Sequence, residues 1–418
     1  MWRRSVPRLL AAIGAALLVQ SAAAAAPHPA HETAQSDEDQ DLRAKALKGD
    51  PDSETFLGLD LYFGDGGVVD RVQAVEWFQK AAQQGNAQAQ YYLGMAYHEG
   101  QGVGRDFALA QRWLRAAAQK YYADAEYALG ATYLEGAGVA ADSGEAVRWF
   151  LKAAGEASPH GDDSGIMLSQ YLLALAYAKG EGAPKDLEKS VFWARKAAEQ
   201  GHAESQRLLG EAYAFGYGVK PDPVAALAWY RRGSEGGSAA AAFDLGVAYE
   251  TGVGVAMDVQ KALEWYRRAA ERGDARAQYN LGVAYASGEQ IPRDESQART
   301  WFEKAADQGN PDAQYNLGVL YCCGQTLAAD PTTALLWFTV ASHSGSPDAL
   351  AAQERLRPSL TPSEIAEIDQ RAQAWIRTHG ATEQAPALDA LQREPIRRRS
   401  TERPAPPSPS KSDHRTSG

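Results

Sequence analysis

Eight leucines set a ruler along this chain. They stand at 57, 93, 129, 173, 209, 245, 281 and 317, so successive steps are 36 residues, except one of 44. Twenty residues after each leucine comes tryptophan: Trp77, Trp113, Trp149, Trp193, Trp229, Trp265, Trp301 and Trp337, which takes eight of the ten tryptophans. Seven residues after each leucine is glycine, from Gly64 to Gly324, and thirteen after is aspartate, from Asp70 to Asp330. Such a period means that one supersecondary part is built repeatedly and stacked on its neighbours. It overrides the two or three domains that 418 residues would otherwise suggest. The heptapeptide AQYNLGV, present at 277–283 and again at 313–319, is then a part built twice rather than a reaction performed twice.

Each position has a local reason. Tyrosine four residues after the leucine, in seven units, places two apolar groups on one helix face; Leu61 fills that place in the first. Glycine at +7 suits a helix end in the left-handed region. Aspartate at +13 reads as the N-cap of a second apolar-periodic run. That run usually has alanine at +17, tryptophan at +20 and Ala-Ala at +24 and +25, with glycine at +28 to close it. Glycine follows the leucine in seven units, Ala174 in the fourth, so two helices can approach closely. Each unit therefore reads as helix, short G-x-G-V loop, helix, turn. The tryptophans are expected to be core, since burying one indole removes about 150–250 Å² from water.

This pattern resembles the Sel-1-like repeat (SLR) family, related to tetratricopeptide repeats. The resemblance is carried by LGVAYETGVGVAMDVQKALEWYRRAAERG at 245–273 and its seven counterparts, and covers about 53–357. It implies an all-α fold: an α/α superhelical solenoid, right-handed, of eight helix-turn-helix repeats, serving as a scaffold for protein assembly. Departures are Ala174, Leu61, Gly233-Ser234 in place of Ala-Ala, and Gln290 and Thr326 in place of the second loop glycine.

Outside the repeats the chain changes character. Arg3, Arg4 and Arg8 precede the apolar run 9–19 and the small residues of AAAAAPHP, so 1–25 reads as a secretory signal cleaved after Ala25. The run is short for a membrane span. Residues 26–50 read as a flexible segment. The repeats fill 51–357, and unit three is followed by eight extra residues near 155–165 that read as a loop. A capping helix is expected at 358–380, with Ile365, Ile368, Ala372 and Trp375 on one face. The Pro-, Ser- and Arg-rich 381–418 lacks the apolar residues to fold. Of the formal charge of −11, the first 25 residues carry +3 and 391–418 carry +4, which leaves −18 on the body. An acidic body argues against nucleic-acid binding. The only cysteines, Cys322 and Cys323, are adjacent and make no disulfide framework.

The chemical motifs dissolve on inspection. GQGVG at 100–104 follows a helix, where a dinucleotide fingerprint needs a strand. The capping aspartates stand one repeat apart, too far for paired-carboxylate catalysis. Ser408–Lys411 matches S-x-x-K only within the tail. His28 would be third after cleavage, but Pro27 lacks the amide an N-terminal copper site needs. No catalytic set, metal site or cofactor is expected. The expected function is that of a non-enzymatic periplasmic or secreted bacterial scaffold, binding a protein or peptide in its groove, with no nucleic-acid partner and no membrane span after cleavage. The alternative is a cell-wall hydrolase or β-lactam-binding protein. Cysteine-rich members of the resembling family are associated with β-lactams, but they carry paired cysteines in every repeat.

By analogy with the tetratricopeptide pattern, positions −2, +2, +5 and +6 face the groove. Position −2 reads Thr55, Tyr91, Tyr127, Tyr171, Arg207, Phe243, Tyr279 and Tyr315. Positions +5 and +6 vary more and include His98, Glu99, Lys179 and Phe215. The −2 rings either bind a partner or pack between neighbouring helices.

Overall fold

A computed structural model describes residues 37–64, 68–155, 164–323 and 329–379. Among them every regular element is helical. The first helices of the eight units form an A layer: α2 Pro51–Phe63, α4 Ala87–Glu99, α6 Ala123–Glu135, α8 Ser164–Lys179, α10 Ala203–Phe215, α12 Ala239–Thr251, α14 Ala275–Ser287 and α16 Pro311–Cys323. The second helices form a B layer: α3 Arg71–Gln83, α5 Phe107–Ala118, α7 Ser143–Gly155, α9 Leu187–Glu199, α11 Pro223–Glu235, α13 Val259–Glu271, α15 Glu295–Asp307 and α17 Pro331–His343. Each A helix packs on its own B helix and, from the second unit on, on the B helix before it, which makes the array a solenoid. Helix α1, Asp37–Leu47, precedes the first unit; α18, Pro347–Leu356, and α19, Pro362–His379, follow the last.

The loop chemistry follows the repeat. At +7, Gly64, Gly100, Gly136, Gly180, Gly216, Gly252 and Gly288 are left-handed, with φ between 73° and 84°. The second loop glycine is there for room as well. A Cβ on Gly102 or Gly182 would lie 2.1 Å from the carbonyl oxygen of Arg71 or Ser143, at the start of the preceding B helix. At +28, unit two has Tyr121 where other described units have glycine, and it still takes φ 60°.

All eight +13 aspartates accept from first-turn amides of their B helices. Asp330 also receives the hydroxyls of Thr332 at 2.6 Å and Thr333 at 2.7 Å, and these donors hold its carboxyl down at about 2. Asp330→Ala should therefore cost about 1 kcal/mol near neutral pH. A carboxyl with a depressed folded pKa stabilises above its unfolded pKa, and that benefit is lost as pH falls through the folded value. The gap between wild type and D330A should narrow from about pH 4 to about pH 2, as urea midpoints on both chains would show. A constant gap would mean that Asp330 does not cap as an anion.

The tryptophans are not the core, which corrects the expectation. All eight are half-buried. The fully enclosed side chain stands one residue later, at +21: Phe78, Leu114, Phe150, Tyr230, Tyr266, Phe302 and Phe338. It lies over the glycine after the leucine. A Cβ on Gly130, Gly246, Gly282 or Gly318 would come within 2.5 Å of that ring. The fourth unit has Ala174 in place of the glycine and compensates with Ala194 at +21. The tryptophans lie at the B-layer surface, six of them under a cation one turn on, such as Lys80 at 3.9 Å from the Trp77 ring centre and Lys304 at 4.2 Å from Trp301.

A side-chain relay ties units together. Gln90, Gln206, Gln278 and Gln314, at −3, each donate to the +25 carbonyl of the preceding unit at 3.0 to 3.3 Å. Gln200 and Gln308, at +27, donate to the −3 glutamine of their own unit at 2.6 and 2.8 Å. Unit six has Ala242 at −3, and Arg272 at +27 reaches the Ser234 carbonyl directly at 2.7 Å.

Three boundaries differ from expectation. Helix α1 replaces the second half of the flexible 26–50: it has almost no apolar stripe, but buried Ala46 lets it dock on α2. The extra residues after unit three partly fold, since α8 begins at Ser164 and the Gly165 amide donates to Asp124 at 2.7 Å. Residues 347–357 fall after the eighth helix pair: α18 is an unpaired helix that stacks on α17, with Gln353 in the leucine place. Helix α19 then packs on α17 through Ile368, Ala372 and a 5.7 Å edge contact between Trp375 and Trp337. It starts on a capping box: Glu364 accepts from the Thr361 amide at 2.8 Å. The expected signal at 1–25 and the expected tail at 381–418 lie outside the described residues. No described helix is long and apolar enough to cross a membrane.

Candidate functional site

The A layer has one face against the B layer and one face turned away from it. Along the edge of that free face, still in reach of the B layer, the −2 positions form a row. Four of the six rings have a partner on the B helix of their own unit. Tyr127, Phe243, Tyr279 and Tyr315 lie 5.4 to 6.0 Å from the +21 ring of their own unit. Others reach onward: Tyr91 lies 5.3 Å from Tyr122, Tyr171 lies 4.5 Å from His202, and Arg276 stacks 4.0 Å over Phe243.

Exposure along this row is not uniform. Tyr91 and Tyr127 are 2% and 0% exposed, and the neighbouring Met95, Ala131, Leu172, Leu175 and Ala178 are buried too. The cause is local: α6 and α8 pack directly on each other, which covers Tyr127, while Tyr171 in unit four stays half-buried. From unit six on it opens. Phe243, Tyr279 and Tyr315 are half-buried, and Asp244, Asn280 and Asn316 at −1 are half-buried beside them. Val283 and Val319 at +2 are 37% exposed. Three successive helices thus repeat an aromatic row, a polar row and an aliphatic row, as an extended chain could use.

Where the closed part meets the open part lies a charge cluster. Arg207 holds the −2 place of unit five in place of a ring. Its side chain is 7% exposed and is shared among Glu204 at 3.1 Å, Glu211, and Asp244 of the next unit at 3.6 Å. Arg276 of unit seven pairs with Asp274 at 2.8 Å and adds to the field. Burial pushes the Asp244 carboxyl up to about 7, with Glu211 adding to the rise and Arg207 and Arg276 opposing it. The sequence flagged Arg207 only as an exception in the row. The stronger signal was Asp244 at −1, where units two to five carry apolar residues.

The +5 and +6 residues divide. His98 lies 3.4 Å from Glu135 of the next unit and edge-on to Phe107, so it bridges two units rather than standing free. Burial raises the Glu99 carboxyl. It also lowers the Lys179 ammonium, against the pull of nearby Glu181. Phe215 is 56% exposed and stacks on Tyr217 at 5.5 Å, which places an apolar pair at the edge of the open region. Among the described residues, no three His, Cys, Asp or Glu side chains converge as a metal would need.

Comparison with known proteins agrees with this geometry. The Sel1 repeat family matches residues 51–86, 87–122, 123–156, 168–202, 203–238, 239–274, 275–310 and 311–346. A crystal structure of a Sel1 repeat protein from Oxalobacter formigenes is 31% identical, covering 82% of this chain and 93% of its own, with a TM-score of 0.61. A protective antigen of uropathogenic Escherichia coli strains that displays an SLR fold is 27% identical, covering 95% of this chain and 97% of its own, with a TM-score of 0.51. A search of curated proteins finds no match. Eight matched units, each beginning at an A helix and ending after a B helix, make this chain a member of the Sel1 repeat family.

Proposed function

We propose that this chain is an exported interaction scaffold that takes an extended protein or peptide segment along the free face of its A layer, in units six to eight. The observation that carries this reading is the change in exposure: the +2 row, buried at Met95, Ala131, Leu175 and Glu211, emerges at Val247, Val283 and Val319, beside the half-buried rings Phe243, Tyr279 and Tyr315. Half-exposed rings and aliphatic side chains beside Asn280 and Asn316 offer apolar contact and main-chain hydrogen bonding together. The Sel1 repeat fold generally mediates protein–protein interaction. Export is supported by the arginines and apolar run of 1–25.

The test is a substitution that the fold should ignore. Val283→Asp with Val319→Asp changes two surface side chains, each within about 0.5 kcal/mol of neutral for stability. The double variant should lose partner proteins that the wild type captures from periplasmic extract, at an unchanged melting temperature. Val224→Asp, on the exposed part of α11, should retain them. Equal capture by all three chains would place the binding surface elsewhere. Fusion of residues 1–50 to alkaline phosphatase reads the compartment separately.

A further inference from the structure

Cys322 and Cys323 end α16, and their Sγ atoms are 2.9 Å apart. Both are free thiols; Cys322 is half-buried and Cys323 exposed. Cys322 packs on the Ala334–Phe338–Ala352 cluster, as do Tyr315, Tyr321 and Leu356. Two sulfurs held this close can be joined directly or by a bridging atom, and geometry separates the choices. A disulfide needs about 2.05 Å, which requires the sulfurs to close by about 0.9 Å between adjacent residues of a helix. An atom bonded to both sulfurs at about 2.3 Å, the thiolate–metal length, and at a right angle needs them about 3.3 Å apart. That is an opening of about 0.4 Å, achievable by a small rotation at exposed Cys323.

Coordination number narrows the bridging atom. Zinc in structural sites takes four protein ligands. Here no third His, Cys, Asp or Glu converges on the pair among the described residues. A pyramidal trivalent centre that brings its own third substituent needs only the two thiols.

We propose that Cys322 and Cys323 are a chelating dithiol site for trivalent arsenic, as arsenous acid or an organic arsenical. With phenylarsine oxide, the two S–H bonds break and two As–S bonds form. The arsenic–oxygen bond is lost, and both protons leave with that oxygen as one water. Arsenic stays trivalent, so no oxidant or reductant is required. Cys323 reacts first, being exposed. Cys322, whose thiol is pushed up to about 11 by burial and then by Cys323, closes the ring as a neutral thiol losing its proton to the departing oxygen.

The experiment treats the reduced full-length chain with equimolar phenylarsine oxide and reads intact mass. The expected product is one adduct heavier by the reagent less one water, retained through a wash in 2-mercaptoethanol and stripped by 1,2-ethanedithiol. Cys322→Ser and Cys323→Ser, nearly isosteric and checked for helicity by circular dichroism, should each weaken retention by about 100-fold or more, because the second bond is no longer intramolecular. An adduct that the monothiol removes from wild type, or that either serine variant retains equally well, overturns the site.

Discussion

Phe302→Ala should destabilise the array by about 3–5 kcal/mol, and Trp301→Ala, beside it in sequence, by clearly less. Phe302 is 1% exposed and lies across Gly282, whereas Trp301 is half-buried under Lys304. The glycine and the ring are one contact, so they should show it energetically. Gly282→Ala alone forces a Cβ to within 2.5 Å of the ring, an overpacking worth about 1–3 kcal/mol. In the double variant that clash is gone, and the total should fall below the sum of the singles. Ala174 facing Ala194 in unit four is the natural form of that double variant. Urea midpoints of the four chains, with amide exchange in α14 and α15, measure the cycle. If Trp301→Ala costs as much as Phe302→Ala, the enclosed ring has been misassigned.

Arg207→Ala should cost about 3–5 kcal/mol, because it leaves Glu211 and Asp244 buried without their cation. The loss should depend on pH. A carboxyl whose folded pKa is raised favours the fold when protonated, and that advantage disappears as pH rises through the folded value. Asp244 already stands at about 7 with Arg207 present. Without the guanidinium it rises further, so the variant should be most impaired above neutrality and partly recover toward about pH 5. Replacing the whole group is a different case. Arg207→Tyr, Glu211→Val and Asp244→Asn together copy Tyr279, Val283 and Asn280 of unit seven, and the triple variant should be neutral or more stable. A single R207A variant with no loss at pH 8 would show that the cluster is hydrated, not buried.

Much of this was legible from spacing alone. The helix pairs, their capping aspartates and left-handed glycines follow from local rules that act within a few residues. The capping helix was legible too, because Ile368 and Ala372 fall on one face and are the buried pair. Regularity misled where it was strongest. Tryptophan recurs more faithfully than the ring after it, yet +21, which varies among Phe, Leu, Tyr and Ala, is the enclosed position. Helical rotation of about 100° per residue decides between them, and only the partner helix shows which way each points. The free face was harder. Position −2 looks uniform in sequence, but its exposure is set by how closely successive A helices approach, a long-range property. Tyr127 and Tyr315 are the same residue at the same register, one sealed by α8 and the other half-open.

The compensations inside single units have a consequence for how such a chain can be rebuilt. Ala174 and Ala194 belong to one unit, as do Ala242 and Arg272, so each departure travels with its own remedy. A whole module can be copied, deleted or moved with its internal fit intact. A splice within a module would pair a glycine-shaped gap with an alanine, or strand a carbonyl that lost its donor. The inheritable part of this protein is therefore the full helix pair, cut at the turn, and libraries recombined at those turns should yield folded chains far more often than libraries cut at the G-x-G loop.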